Sequence, residues 1–181
     1  MDPSELDRQQ LEDLLAGLHD ASFGWALSCC DWNDADAEDV LQATYVKVLS
    51  GSARFGGRST FRTWLFGVIR RTALEQKRQA RSHRERAERL GREVAGAVSA
   101  DVADADAERA DRARALVAAL AELPPRQREV LHLVFYQDLT IREAAEVMHV
   151  SIGSARVHYE RGKKRLRDLL AEEEPVPGGG A

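Results

Sequence analysis

Leu6, Leu11, Leu14, Leu15 and Leu18 recur at steps close to three and four residues, the spacing that places side chains on one face of an α-helix. A second amphipathic stretch runs from Asp36 to Leu49, with acids crowding its first turn, where they offset the positive end of the helix dipole. Gly51, Gly56 and Gly57 then break the pattern, so the segment from Gly51 to Arg58 is predicted to be a loop. Ser59 is positioned to cap a third helix reaching about Leu90, in which Phe61, Trp64, Leu65 and Val68 share a face. From Glu93 to Asp111 the only sizeable apolar residues are Val94, Val98 and Val102, and this stretch predicts a linker up to about Ala103. Leu116, Val117 and Leu120 open a new apolar pattern, and Pro124 and Pro125 start another helix.

Thr140 followed by Glu143 has the form of a capping box, and the short helix it begins should end near Met148. His149 and Val150 make a tight connection to Ser151, itself a good N-cap. Two capped helices joined by so short a turn predict a helix-turn-helix, whose second helix enters the DNA major groove. On that helix Ile152, Ala155, Tyr159, Gly162, Leu166 and Leu169 form one buried stripe. The opposite face presents Ser154, Val157, Glu160, Arg161 and Lys164, with Arg156 on the flank. The expected fold is all-α: a helical domain over residues 1–92, a flexible acidic linker over 93–104, a helix-turn-helix domain over 105–170 and a disordered tail over 171–181.

The chain has 181 residues, 44% of them hydrophobic, enough for genuine cores in two small domains. Its net charge of -4 argues against nucleic acid until the charges are mapped. Residues 1–50 hold eleven acids against Arg8 and Lys47, whereas residues 58–92 hold eleven bases against Glu75, Glu85 and Glu88. Such segregation suggests two different partners. The adjacent Cys29 and Cys30 cannot form an ordinary disulfide with each other and lack metal-site spacing, which predicts two reduced, buried thiols in a helix. No stretch is long and apolar enough for a transmembrane helix, and residues 1–10 lack the features of a signal peptide, so a cytoplasmic location without membrane contact is expected.

The segment from Arg54 to Phe66 interleaves aromatics with arginines around a glycine loop, an arrangement suited to single-stranded DNA, with bases stacked and phosphates paired. Phe61 and Leu65 read more simply as core, while Trp64 can serve both purposes. On the last helix, Arg can take guanine by two hydrogen bonds, Ser can bond base or phosphate, and Val can rest against a thymine methyl. His158 has no second ligand on its face and reads as a phosphate or solvent contact. No phosphate-cradling loop, metalloprotease His pair or nucleophile-base set is legible, so neither an enzyme nor a cofactor is expected. Glu38 and Asp39 are adjacent on a helix and point apart, as a solvated acidic turn does.

Three blocks, in order, resemble the extracytoplasmic-function (ECF) group of sigma factors, and the resemblance covers nearly the whole chain. Asp36-Ala37-Glu38-Asp39-Val40-Leu41-Gln42-Ala43-Thr44-Tyr45 is similar to the family's helix that binds the polymerase clamp, which implies core-polymerase contacts for Asp36, Asp39 and Gln42. Phe55 to Arg78 resembles the loop and helix that melt and read the minus-10 element, implying DNA contacts for Arg58, Ser59, Arg62, Trp64, Arg70 and Arg71. Leu123-Pro124-Pro125-Arg126-Gln127-Arg128-Glu129-Val130 and the helix-turn-helix resemble the domain that reads the minus-35 element. The implied partners are core RNA polymerase, promoter DNA and an anti-sigma factor, with the acidic linker threaded through the polymerase. Two positions depart from the pattern: Arg71 stands where relatives commonly have Asn, and Glu160 where they often have an aromatic or basic residue. The alternative is an operator-binding helix-turn-helix regulator, which would leave the Asp36 block and the Trp64 segment without a use.

Overall fold

The structure, a computed structural model, describes residues 6–89 and 107–173, which form eight α-helices and no strand among the described residues. The expected linker at 93–104 and the tail from 174 onward lie outside the described residues. The first domain comprises α1 (Arg8–Gly17), α2 (His19–Cys29), α3 (Asp34–Leu49) and α4 (Phe61–Arg89). Asp7 opens α1 with a capping box: its carboxylate accepts from the Gln10 N–H at 2.8 Å, and the Gln10 side chain accepts from the Asp7 N–H at 3.0 Å.

The leucine pattern ends where expected, but a helix follows that carries no amphipathic stripe. In α2 Ser22, Trp25, Ala26 and Ser28 are buried and point in several directions, because this helix runs through the middle of the domain. Trp25 is fully enclosed, and its indole N–H donates to the Phe66 carbonyl at 3.0 Å, tying α2 to α4. Asn33 caps α3 by accepting from the Asp36 N–H at 2.9 Å, and Ala37, Val40, Leu41, Thr44 and Val48 turn inward. The cap of α4 is Thr60 rather than Ser59: Thr60 Oγ1 accepts from the Thr63 N–H at 3.1 Å, while the Ser59 hydroxyl donates to the Thr60 carbonyl. One residue of register decides this: the first helical backbone bond runs from the Trp64 N–H to the Thr60 carbonyl, so Thr60 is the residue immediately before the helix and its side chain is the one placed to cap it.

The second domain comprises α5 (Ala107–Ala121), α6 (Pro125–Phe135), α7 (Ile141–Met148) and α8 (Ile152–Glu173). The Thr140–Glu143 capping box forms at both of its backbone bonds, 2.8 and 3.2 Å. His149 ends α7 in the left-handed region with φ 53, and Ser151 caps α8 by accepting from the Ser154 N–H at 3.1 Å. At Gly162 α8 approaches α6 so closely that a Cβ would lie 3.1 Å from the Leu131 side chain and 3.3 Å from the Gln127 carbonyl. α8 continues to Glu173, three residues past the boundary the sequence suggested.

The two domains are packed together, α4 along α7 and α2 against α6. Trp25, Leu65, Phe66 and Ile69 of the first domain share one apolar cluster with Val130, Leu133, Leu139, Ala144, Val147 and Met148 of the second. In the turn between α2 and α3, Asp31 and Trp32 have φ values of 53 and 64. A tryptophan in that region is strained, at a cost of about 1–3 kcal/mol. Its ring packs against Leu120, Leu123 and Leu131 of the second domain, where apolar burial offsets the strain.

Candidate nucleic-acid interface

On α8 the stripe predicted as buried faces α6 and α7, with Ala155 and Gly162 fully covered and Tyr159 and Leu166 half-buried. Ser154, Arg156, Val157, Glu160, Arg161 and Lys164 are all exposed on the outer side. Their polar ends meet near neighbours in the chain: the Ser154 hydroxyl lies 2.9 Å from that of the capping Ser151, Lys163 reaches Glu160 at 3.2 Å and Lys164 reaches Asp168 at 2.8 Å. Val157 is 47% exposed, a large apolar side chain held in water at the centre of a polar row. Such a row, rigidly set on a capped helix, has the shape and donors to enter a major groove.

The α4 surface differs. Phe55, Phe61 and Trp64 form an aromatic group with ring centroids 5.3–5.5 Å apart, and Leu65 is pure core. Arg58 and Arg71 are exposed and Ser59 is half-buried. These residues and Trp64 line one wall of a cleft, whose other wall is α7 with Glu146 and His149. Arg62 donates to the side-chain Oε1 of Gln137 at 3.0 Å, lies over the Phe66 ring at 5.4 Å, and keeps a buried Nε with no hydrogen-bond partner. Arg70 is buried and pairs with Glu129 of α6 at 3.0 Å. The cleft carries charge on both sides: burial, then Arg71, Arg70 and Arg126, push the His149 pKa down.

A third surface lies on α3. Asp36, Asp39 and Gln42 are exposed, as the sequence suggested. Val46 continues the row at 66% exposure, an apolar residue on a face otherwise polar. Beside it His19, Phe23, Leu41 and Tyr45 line a shallow cleft, with the Tyr45 hydroxyl 3.3 Å from His19 Nδ1.

Residues 23–83 match the family model for sigma-70 region 2, and residues 113–166 that for sigma-70 region 4. The chain is 31% identical over 148 residues to the ECF RNA polymerase sigma factor SigX of Bacillus subtilis, spanning 75% of this chain and 73% of the relative. It is 32% identical over 142 residues to the RNA polymerase sigma factor CarQ of Myxococcus xanthus, spanning 78% and 79%. The chain belongs to the ECF sigma factors. Among solved structures, its fold is similar to the sigma factor RpoE in complex with the anti-sigma factor NepR from Bartonella quintana, with TM-score 0.70, 23% identity and 90% and 98% of the two chains covered. It is also similar to CnrH in complex with the cytosolic domain of CnrY, with TM-score 0.66, 21% identity and 95% and 94% covered.

The region 2 match of this sigma factor contains the α3 row and the α4 surface, and the region 4 match contains the α8 row. Sequence reasoning missed the groups that join the two. Arg128 of α6 is buried and pairs with Asp31, which also accepts from Lys77 at 2.5 Å. Burial alone would raise the Asp31 pKa, but Lys77 and Arg128 together hold it below its usual value. His132 is nearly enclosed between Trp25, Trp32 and a stacked Tyr136, and burial pushes its pKa down to about 4. Cys29 and Cys30 are free thiols whose pKa values burial raises, so they stay protonated and unreactive. No helix among the described residues is long and apolar enough to cross a membrane.

Proposed function

We propose that this sigma factor docks on core RNA polymerase through Asp36, Asp39, Gln42 and Val46 of α3 and reads the minus-35 element with Ser154, Arg156, Val157, Glu160, Arg161 and Lys164 of α8. Arg58, Ser59, Arg62, Trp64 and Arg71 hold the melted minus-10 strand, and Arg70 joins them once its carboxylate partner leaves. Residues 1–92 and 105–170 are the two working domains and 93–104 the linker. The protein performs no covalent chemistry, works in the cytoplasm and is held in check by an anti-sigma factor. The observation that carries the reading is the exposed polar row of α8, set opposite a buried stripe on a helix whose start is fixed by Ser151.

Selection of binding sites from random duplexes by holoenzyme tests it. Arg156 lies in the early turns that enter the groove, so Arg156→Ala should relax preference at one base position, at a cost of about 1–3 kcal/mol there. Arg161→Ala should weaken all sites alike, as loss of a phosphate contact does. An unaltered site preference for Arg156→Ala overturns the assignment. Asp39→Arg should weaken the complex with core polymerase at unchanged helicity, and unchanged core binding removes α3 as the docking face.

A further inference from the structure

The cleft bounded by α4 and by α7 with the turn that follows it has a volume of about 510 Å³, within the range of small-ligand sites. One residue keeps its floor open. Gly67 is buried in the middle of α4, yet a Cβ built on it would meet no atom within 4 Å. Glycine inside a helix is unfavourable relative to alanine, and no close approach of another element calls for it here. Half-buried Trp64 lines the same space, its ring held by Phe55 and Phe61 at centroid distances of 5.5 and 5.3 Å. A ring fixed in this way can take a stacked base with little further loss of side-chain freedom.

The charges of the cleft are unbalanced. Arg58 and Arg71 are exposed in it, and among the described residues neither side chain has a hydrogen bond or an ion pair. The cations behind them are already satisfied: Arg70 pairs with Glu129 at 3.0 Å, and Arg126 donates to the Met148 carbonyl at 3.1 Å and reaches Glu129 at 3.3 Å. Glu146 lines the cleft as well but pairs with neither free arginine. Burial first, then Arg71, Arg70 and Arg126, push the His149 pKa down, so the field at that ring is positive. Two free guanidinium groups, an aromatic ring and a carboxylate acceptor therefore surround one small cavity.

We propose that this cleft is a binding site for a free nucleoside diphosphate, its base stacked on Trp64, its phosphates between Arg58 and Arg71, and its amino or ribose hydroxyl groups donating to Glu146. Each part of the ligand answers one feature of the site. The diphosphate supplies the negative charge that the two arginines lack, by charge-assisted hydrogen bonds. The base supplies the apolar face that covers the indole, and the space above Gly67 gives it room. The proposal uses some of the residues read above as the minus-10 surface but assigns them a second, small-molecule ligand. Because the walls come from α4 and from α7, a bound nucleotide also raises the stability of the folded chain by mass action.

The test is calorimetric titration of the full chain, free of polymerase, with ADP, GDP, inorganic pyrophosphate and a single-stranded oligonucleotide of about 12 nucleotides. A diphosphate nucleotide should bind with Kd on the order of 10 µM and raise the Tm, and pyrophosphate, which lacks a base, should bind about tenfold more weakly. Trp64→Ala should bring the nucleotide down to the level of pyrophosphate. Arg71→Ala should weaken both by about tenfold, as loss of a charge-assisted pair does. Gly67→Leu fills the floor without changing any charge and should abolish nucleotide binding. If that variant loses helicity by circular dichroism, Arg58→Ala, in an exposed loop position, takes its place with an expected loss of about tenfold. No binding of ADP or GDP at about 1 mM overturns the proposal, as does equal affinity for nucleotide and pyrophosphate, which would leave only a diffuse attraction of anions. The oligonucleotide separates this site from the strand surface. Retained strand binding by Gly67→Leu supports a distinct small-molecule site, whereas equal loss of both ligands makes the cleft part of the strand's own path and overturns it.

Discussion

The outer face of α8 and the surface of α4 are both helix faces rich in arginine, but they hold their charges in opposite ways. On α8 the pairs are local and wet: in Lys164–Asp168 the side chains are 75% and 55% exposed, and such pairs contribute only about 0–1 kcal/mol. On α4 the Arg70–Glu129 pair is nearly dry and links groups 59 residues apart. An exposed row can exchange water for DNA without rearrangement. A buried pair can be used only if something large moves, so the same residue type marks a ready surface in one place and a gated one in the other.

The largest test of this contrast is Trp25→Ala, at the point where the two domains share one core. It should destabilise the chain by about 3–5 kcal/mol in denaturant titration. Calorimetry of the wild type should show a single transition, and two resolved transitions would mean that the domains melt independently despite the shared cluster. Next in size is pH. His132 has its folded pKa near 4 against an ordinary 6.5, because burial disfavours the imidazolium. The unfolded or opened chain therefore binds the proton more readily; stability is complete above pH 6.5 and is lost as pH falls toward about 4, to a limit of about 3 kcal/mol. His132→Phe, which keeps a ring between Trp25 and Tyr136, should flatten that slope, and an unchanged slope would assign the acid sensitivity to other groups.

Smaller effects sharpen the comparison. His149→Gly relieves a left-handed residue at the end of α7 and should raise stability by about 1 kcal/mol, read as a higher Tm. A fall in Tm would show that the imidazole packs in the α4–α7 cleft more favourably than its backbone strain costs. Glu160→Gln, on the open α8 row, should shift stability by less than about 0.5 kcal/mol. A loss of about 3–5 kcal/mol, the size expected when one partner of a buried ion pair such as Arg70–Glu129 is removed, would erase the distinction between the two faces.

Local physics made much of the molecule legible in the sequence. The Thr140–Glu143 box, the Ser151 cap and the α8 stripe depend on groups within a few turns, and their spacing alone predicts them. The exposure of Asp36, Asp39 and Gln42 follows from the same periodicity, and Val46 was open to the same argument, since an apolar residue out of phase with the buried stripe must face outward. α2 was not legible, because a helix surrounded by protein has no polar face to give a phase. Nor was the fate of Arg62 and Arg70: one side chain meets Gln137 across 75 residues, the other Glu129 across 59. Asp31 and Arg128 lie 97 residues apart. Charge, capping and periodicity specify which residues can pair or face water, but no local rule selects a partner at such separations. That choice was made by the packing of α4 on α7 and α2 on α6, which burial of apolar surface drives without reference to sequence distance.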